Sequence, residues 1–137
     1  MWWSGNLGNI GSVLVRYEGE IMASLNMQGP YDLTQTGVNN AVTRTSAGNY
    51  GLGYLDSDNT FIVQYVGRSD TDVNSRLKNW GSTKYKKFKY SYAVSAKAAF
   101  EKECQNYHDF GGGKELDNDV HPACPDGTNW RCPVCNA

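Results

Sequence analysis

The chain has 137 residues, of which 39 % are hydrophobic and 12 % aromatic, and its formal net charge is −1. These values fit one folded domain and exclude an intrinsically disordered chain. The near-neutral total also excludes a strongly basic field over the whole protein. The N-terminus has no cationic start and no apolar run of the roughly 20 residues that a membrane-spanning helix needs. We therefore expect no signal peptide, no transmembrane segment and a cytoplasmic location.

The first third of the chain carries strand and turn signals but no recognisable chemistry. Residues 12–25 are rich in β-branched and apolar types, which predicts one or two strands. Gly29 and Pro30 together predict a turn, and a short helix is expected near 34–42. Residues 1–46 are interpreted as an N-terminal β extension that adds strands to the main domain or forms an interface.

The middle of the chain predicts a hairpin followed by a helix. Strand-like runs cover residues 49–55 and 61–67, and the polar stretch DSDNT between them favours a short hairpin connection. The apolar spacing then changes to a helical period over 71–80, where Ser69 or Asp70 can cap the helix. The apolar stripe of this helix consists of Val73, Leu77 and Trp80.

A second strand and helix follow. Residues 88–94 alternate in polarity, which predicts a strand, and Ser95 can begin a helix over 96–110 that a run of three glycines ends. Residues 111–137 are rich in proline and aspartate and have no periodic pattern. The element order therefore indicates an α+β domain over 47–110, followed by an irregular tail that carries cysteines.

Tyrosines, arginines and a glutamate occur near the ends of these elements. Tyr50 begins the first strand of the hairpin, Tyr65 ends the second, Arg68 and Arg76 follow, and Glu103 lies on the last helix. A guanidinium group suits the charge that develops on a phosphate during hydrolysis, and a carboxylate suits a hard cation such as Mg²⁺. These residue types could therefore hold an anion and a metal ion.

The order of these residues resembles the GIY-YIG nuclease family, in particular a small bacterial or phage-type member with a CPxC tail. The segment GNYGLGYL stands where the family has its GIY strand, and QYVGRS stands where it has YIG. Arg76, in NSRLKNW, matches the family's helix arginine. Glu103, in AAFEKE, matches its metal-binding glutamate. The resemblance covers residues 48 to about 110.

The resemblance implies a fold, a reaction and a role for each residue. The fold would be a small three-stranded antiparallel sheet flanked by helices. The reaction would be hydrolysis of a DNA phosphodiester by an activated water, with one Mg²⁺ or Mn²⁺ held at Glu103. Tyr50 would help to activate the water, provided that nearby cations lower its pKa, and Tyr65 would orient water or phosphate. Arg68 and Arg76 would bind the scissile phosphate. Independently of the resemblance, Gly67 at the end of the predicted strand is expected to let the chain turn towards the helix.

Two alternatives remain open at this stage. Trp80 stands where many family members carry a histidine or tyrosine, and the spacing from Gly67 to Arg76 is one residue longer than in many of them. The same fold could therefore serve as a nucleic-acid-binding or interaction module with weak catalysis or none. An RNase is the other alternative, since the chemistry does not depend on the 2′-hydroxyl. Homodimerisation is also open.

A group of lysines lies just before and within the last predicted strand. In KYKKFKY the lysines alternate with aromatic residues and could neutralise DNA phosphates. The competing interpretation is a strand with a solvated cationic face. In either case, alternation places Lys87 and Lys89 on the face opposite the aromatic side chains. The four residues are Lys84, Lys86, Lys87 and Lys89.

The cysteines all lie in the last quarter of the chain, which favours a metal site over a secreted disulfide scaffold. Cys132 and Cys135 have the C-x-x-C spacing of a zinc knuckle, and a tetrahedral structural site needs two further ligands. Cys104 and His108, one turn apart on the last helix, are the preferred pair because they would tie the tail to that helix. His121 and Cys124 are the alternative pair, and reduced thiols without metal remain the third interpretation.

Overall fold

The computed structural model describes residues 23–81 and 83–137, which form an α+β arrangement with one four-stranded antiparallel sheet. The strand order is β1-β4-β2-β3, so β1 and β3 are the edge strands. The elements are β1 Gln28–Asp32, α1 Gln35–Ala41, β2 Gly48–Leu55, β3 Phe61–Ser69, α2 Val73–Lys78, β4 Lys87–Tyr92, α3 Ala96–Asp109 and α4 Gly112–Glu115.

The sheet has one more strand than the family resemblance implies. The additional strand, β1, runs through Gly29 and Pro30, where a turn is predicted. Proline is tolerated here because β1 lies at the edge of the sheet, and the register against β4 shifts between Gln28 and Tyr31. The strands predicted within 12–25 fall almost entirely outside the described residues.

The two faces of the sheet are covered by different helices. On one face, α1 and α2 pack against the aromatic and aliphatic side chains of β2 and β4. On the other face lies α3, where the buried Asn49 side chain of β2 donates a hydrogen bond to the Ala99 carbonyl at 2.8 Å. The hydrophobic core on the face covered by α1 and α2 includes Val38, Val42, Tyr50, Leu52, Val73, Leu77, Phe88 and Tyr90.

Helix α2 begins later than the sequence predicts. Strand β3 continues through Ser69, and the Ser69 hydroxyl accepts a hydrogen bond from the Asp72 backbone N–H at 2.9 Å. Asp72 is the N-cap residue, since its carboxylate accepts from the Ser75 N–H at 3.3 Å. Val73 and Leu77 are fully buried, as the apolar stripe predicts. This face fixes the orientation of the helix that carries Arg76.

The tail begins with α4 and then covers part of the free edge of β3. The Asn118 amide bonds both backbone groups of Val66, at 3.1 Å to the N–H and 2.8 Å to the carbonyl. The Asp117 N–H donates to the Gln64 carbonyl at 2.7 Å. These bonds pair backbone N–H and carbonyl groups of the edge strand, which could otherwise form hydrogen bonds with a strand of another chain. Within the described part of the chain, no helix combines the length and the apolar character needed to cross a membrane.

Candidate functional site

The five residues singled out from the sequence line one cavity of about 160 Å³. They come from β2, β3, α2 and α3, and they include side chains from both faces of the sheet. Such convergence is possible because β3 is an edge strand, so that groups above and below it meet at its rim. The lining residues are Tyr50, Tyr65, Gly67, Arg68, Asp70, Arg76 and Glu103.

Arg68 is held at three nitrogen atoms. Its Nε donates to Asp70 at 2.8 Å, and its Nη1 donates to Glu103 Oε1 at 2.6 Å. Its Nη2 donates to the Ala123 carbonyl at 2.8 Å. A guanidinium group has five N–H donors, so two remain after these three bonds. Arg68 is therefore a fixed cation that can still donate hydrogen bonds.

Glu103 is a buried carboxylate on α3 that faces the arginines. Glu103 is 8 % exposed, and its Oε1 atom accepts the hydrogen bond from Arg68. Burial raises the pKa of Glu103, while Arg68 opposes that rise. The 2.6 Å contact is typical of a charge-assisted bond, which favours an ionised carboxylate beside Arg68. The pair thus places an oxygen ligand of the kind that hard cations prefer at the wall of the cavity.

Arg76 contributes an exposed positive charge. Its Nη1 donates to the Arg68 backbone carbonyl at 3.0 Å, which directs the side chain from α2 towards β3. Among the described residues Arg76 forms no ion pair, so its charge is not neutralised by a carboxylate. The two arginines therefore differ: Arg68 is locked in place, and Arg76 can meet an incoming anion.

Tyr50 lies deep in the cavity wall and is 2 % exposed. Burial raises its pKa to about 12, although Trp80 and Arg76 act in the opposite direction. The pKa of Tyr50 therefore stays above its usual value, whereas the sequence-based hypothesis requires nearby cations to lower it. The Trp80 indole donates to the Tyr50 hydroxyl at 3.1 Å. Since its pKa is raised and the indole N–H can only donate, Tyr50 keeps its own proton and can donate it to a bound group.

Tyr65 lies on β3, next to the strand that carries Tyr50, and it is partly buried. Its ring packs edge-on against Trp80, with 4.8 Å between the ring centroids. Burial raises the pKa of Tyr65, and the negative charge of Glu103 acts in the same direction. Tyr65 is thus a protonated phenol, which suits the supporting role expected for it.

Gly67 lies within β3 and not at a turn between strand and helix. It pairs with Tyr50 of β2. A methyl group added at this position would overlap the phenol carbon and oxygen of Tyr50. Gly67 is therefore needed for the close approach of Tyr50 and not for a change of chain direction.

The lysines do not form one continuous cationic surface. Lys84 pairs with Asp117 at 2.9 Å, Lys87 pairs with Asp32, and Lys86 is exposed. Lys89 is 6 % exposed, with its ammonium group 5.5 Å from the centre of the Phe61 ring. The expectation of a solvated position is therefore wrong for Lys89, because both faces of β4 are covered at that point.

Burial gives Lys89 a measurable effect on the pH dependence of stability. Burial lowers its pKa from 10.5 to about 8. Between these values the unfolded chain binds more protons than the folded chain, so the free energy of unfolding rises with pH. From pH 7.5 to 9.5 we expect the wild type to gain about 1–2 kcal/mol relative to Lys89→Met, measured by urea denaturation. The exposed Lys86→Met should follow the wild type. Parallel profiles for the wild type and Lys89→Met would contradict this assignment.

A second group of functional side chains lies between α3 and the tail. The ligand atoms of His108, His121, Cys132 and Cys135 all lie within 4.8 Å of one another. The two histidine Nε2 atoms are 3.2 Å apart, and Cys135 Sγ is 3.4 Å from His121 Nε2. A tetrahedral zinc ion bound by nitrogen and sulfur separates its ligand atoms by roughly 3.3–3.8 Å. The group could therefore hold a metal such as zinc.

Neighbouring backbone groups orient these candidate ligands. His121 Nδ1 lies 2.7 Å from the Pro122 carbonyl, which can only accept, so Nδ1 carries the proton and Nε2 is left for a metal. The N–H groups of Val134 and Cys135 point at the Cys132 sulfur, at 3.4 and 3.5 Å. Burial alone would raise the pKa of Cys132, but these bonds, together with the contacts to the His121 and Cys135 side chains, outweigh burial and lower the pKa to about 6. The thiolate form, which binds metals, is thereby favoured.

The group differs from the preferred ligand set in one residue. His121, an alternative in the sequence-based prediction, stands where Cys104 is expected. Cys104 is fully buried against Phe100 and Cys132, and burial raises its pKa to about 12. Cys124 lies outside the group, with its sulfur 3.5 Å from the Thr128 carbonyl. His108, Cys132 and Cys135 are in the group, as predicted.

Two contributors to these sites were not identified as functional from the sequence. Asp70 lines the cavity and contacts Arg68, although its position suggested only a helix cap. The Ala123 carbonyl also contacts Arg68, and a backbone atom in an irregular tail has no sequence signal. The Asp70 carboxylate could have been suspected, since it lies two residues after the first arginine in a strand that continues through Ser69.

No protein-family model matches this chain, and neither does any curated protein or solved structure.

Proposed function

We propose that this protein is a GIY-YIG-type endonuclease that hydrolyses DNA phosphodiester bonds with a divalent metal ion. One observation carries the proposal. Residues selected by sequence order alone, across more than fifty positions, line the same cavity: two arginines, two protonated phenols and a buried carboxylate. These are the groups that hydrolysis of a phosphodiester requires, because negative charge accumulates on the phosphoryl oxygens.

The contacts of each cavity residue indicate a different role in the reaction. Arg76, exposed and without an ion pair among the described residues, would meet the phosphate first. Arg68, fixed by its three partners, would donate its remaining N–H groups to the same phosphate. Tyr50 would donate a hydrogen bond to a phosphoryl oxygen or to the water, since its raised pKa makes it a poor base at neutral pH. Tyr65 would orient the water, as another phenol in the lining of the cavity.

The carboxylates of the cavity suit Mg²⁺ or Mn²⁺. Mg²⁺ is usually held by one or two carboxylates together with water and phosphate oxygens. Glu103 is the proposed ligand, and Asp70 lies close enough to affect its pKa. When bound, the ion would act as a Lewis acid on the phosphate and lower the pKa of a coordinated water.

The donors of the tail group suit a different metal. Two imidazole nitrogens and two cysteine sulfurs favour zinc over Mg²⁺, and a closed set of four ligands is typical of a structural site. Zinc binds cysteine as the thiolate, so Cys132 and Cys135 would both bind in the deprotonated form. We therefore assign Mg²⁺ or Mn²⁺ to the cavity and zinc to the tail.

A plasmid-nicking assay tests the proposal most directly. Supercoiled plasmid, single-stranded DNA and a matched RNA are incubated with the purified protein in MgCl₂ or in EDTA. Nicking of plasmid that requires MgCl₂ supports the nuclease. Retention of DNA in a gel without cutting would favour a binding module, and cleavage restricted to the RNA would favour an RNase.

A further inference from the structure

The tail touches the candidate active site through a backbone atom. The Ala123 carbonyl accepts a hydrogen bond from Arg68 Nη2, beside the bonds from the same guanidinium to Asp70 and Glu103. Ala123 lies two residues after His121, a member of the metal group. One tail segment thus carries both a candidate metal ligand and a contact to Arg68.

This segment has little regular structure to hold it in place. Residues 119–124 belong to no helix or strand. Asn118 anchors the chain before the segment, on β3, and Trp130 packs against Phe100 after it. Between these anchors, His121 extends to His108 of α3 and to Cys135 near the end of the chain. A metal at this point would tie three separate parts of the chain together, which is how metals order segments that lack a core of their own.

We infer that a zinc ion bound by His108, His121, Cys132 and Cys135 positions the Ala123 carbonyl against Arg68, so that the zinc centre is a positioning element of the active site. This inference rests on the proposed function for its catalytic consequence. Without zinc, Arg68 loses one of three anchors but keeps Asp70 and Glu103. The guanidinium group should then change its orientation while keeping these two bonds. Because cleavage depends on precise orientation, we expect the cleavage rate to fall more than the affinity for DNA.

The experiment compares four versions of the full chain, each prepared with added ZnCl₂. Cys135→Ala removes an exposed candidate ligand with little change in the core, and Cys135→His restores a ligand of another type. Cys124→Ser is the matched control, because Cys124 lies in the same tail but outside the group. The measurements are zinc per chain by elemental analysis, kcat and KM for DNA cleavage, and the Arg68 Nε–H signal in an ¹⁵N spectrum, assigned with Arg68→Lys.

We expect near one zinc per chain in the wild type, Cys124→Ser and Cys135→His, and near zero in Cys135→Ala. We also expect kcat of Cys135→Ala to fall about tenfold or more, with KM nearly unchanged, and its Arg68 signal to move. Stripping zinc from the wild type with 1,10-phenanthroline should reproduce both changes, and ZnCl₂ should reverse them. Zinc-free wild type, or a zinc-free variant with unchanged kcat and Arg68 signal, would overturn the inference. If no version cleaves DNA, the proposed function fails, while the Arg68 signal still decides whether zinc positions this residue.

Discussion

Glu103→Gln should lower Mg²⁺-dependent DNA cleavage by about 10²–10³-fold, the usual loss when one electrostatic group of a hydrolytic site is removed. The substitution keeps the size of the side chain and an oxygen that Arg68 can still contact. It removes the negative charge that would hold a divalent cation. The measurement is kcat for plasmid nicking at saturating MgCl₂.

Stability must be followed in the same variant, because Glu103 is buried against Arg68. Replacing a charge-assisted bond by a neutral one should cost about 1–3 kcal/mol of unfolding free energy, so the protein should remain folded at assay temperature. Glu101→Gln is the matched control, since Glu101 lies on the same helix but outside the cavity. A folded Glu103→Gln protein that nicks plasmid like the control would remove Glu103 from the catalytic assignment.

Much of the α+β framework is predictable because local signals and tertiary contacts agree. The helices α1 and α3 and the strands β2 and β3 lie within a few residues of their predicted positions. In α3, for example, Ser95 caps the helix through a 3.0 Å bond from the Ala98 N–H, as its residue type suggests. Here the capping preference and the burial pattern point to the same boundary.

Strand β1 could not be predicted from the sequence, because its residue types indicate a turn and not a strand. Gly29 and Pro30 are typical of turns, but in this fold they lie in an edge strand. Gly29 has φ +122°, and a side chain there would press against the Phe88 carbonyl at 2.9 Å. The reason for glycine is therefore a neighbouring strand almost sixty residues away, which no local pattern reveals.

The candidate site was predictable in its residues but not in their interactions. The order of tyrosines, arginines and glutamate identifies five of the residues that line the cavity but not Asp70. It does not reveal that burial raises the pKa of Tyr50 to about 12, or that the Trp80 indole donates to its hydroxyl. The choice of His121 over Cys104 in the metal group depends on the path of the irregular tail, which has no periodicity to interpret.

Gly67→Ala should reduce both stability and cleavage, because the new methyl group would overlap the Tyr50 phenol. Overpacking of this kind costs about 1–3 kcal/mol of unfolding free energy. The Tyr50 hydroxyl should be displaced from the cavity and from the Trp80 indole. We expect DNA cleavage to fall by about tenfold or more, since small displacements in a catalytic site have large effects on rate. Urea denaturation and plasmid nicking measure the two losses.

A double-mutant cycle with Tyr50→Leu separates this overlap from a general effect on β3. Tyr50→Leu removes the hydroxyl and the ring carbons that the Gly67→Ala methyl group would meet. The double variant should therefore be less destabilised than the two single changes together, by roughly 0.5–3 kcal/mol as for residues in direct contact. Additive losses would mean that Gly67 is required by the backbone of β3 itself. A clear coupling would mean that glycine is required at this position by the Tyr50 phenol, which is a requirement of the site and not of the sheet.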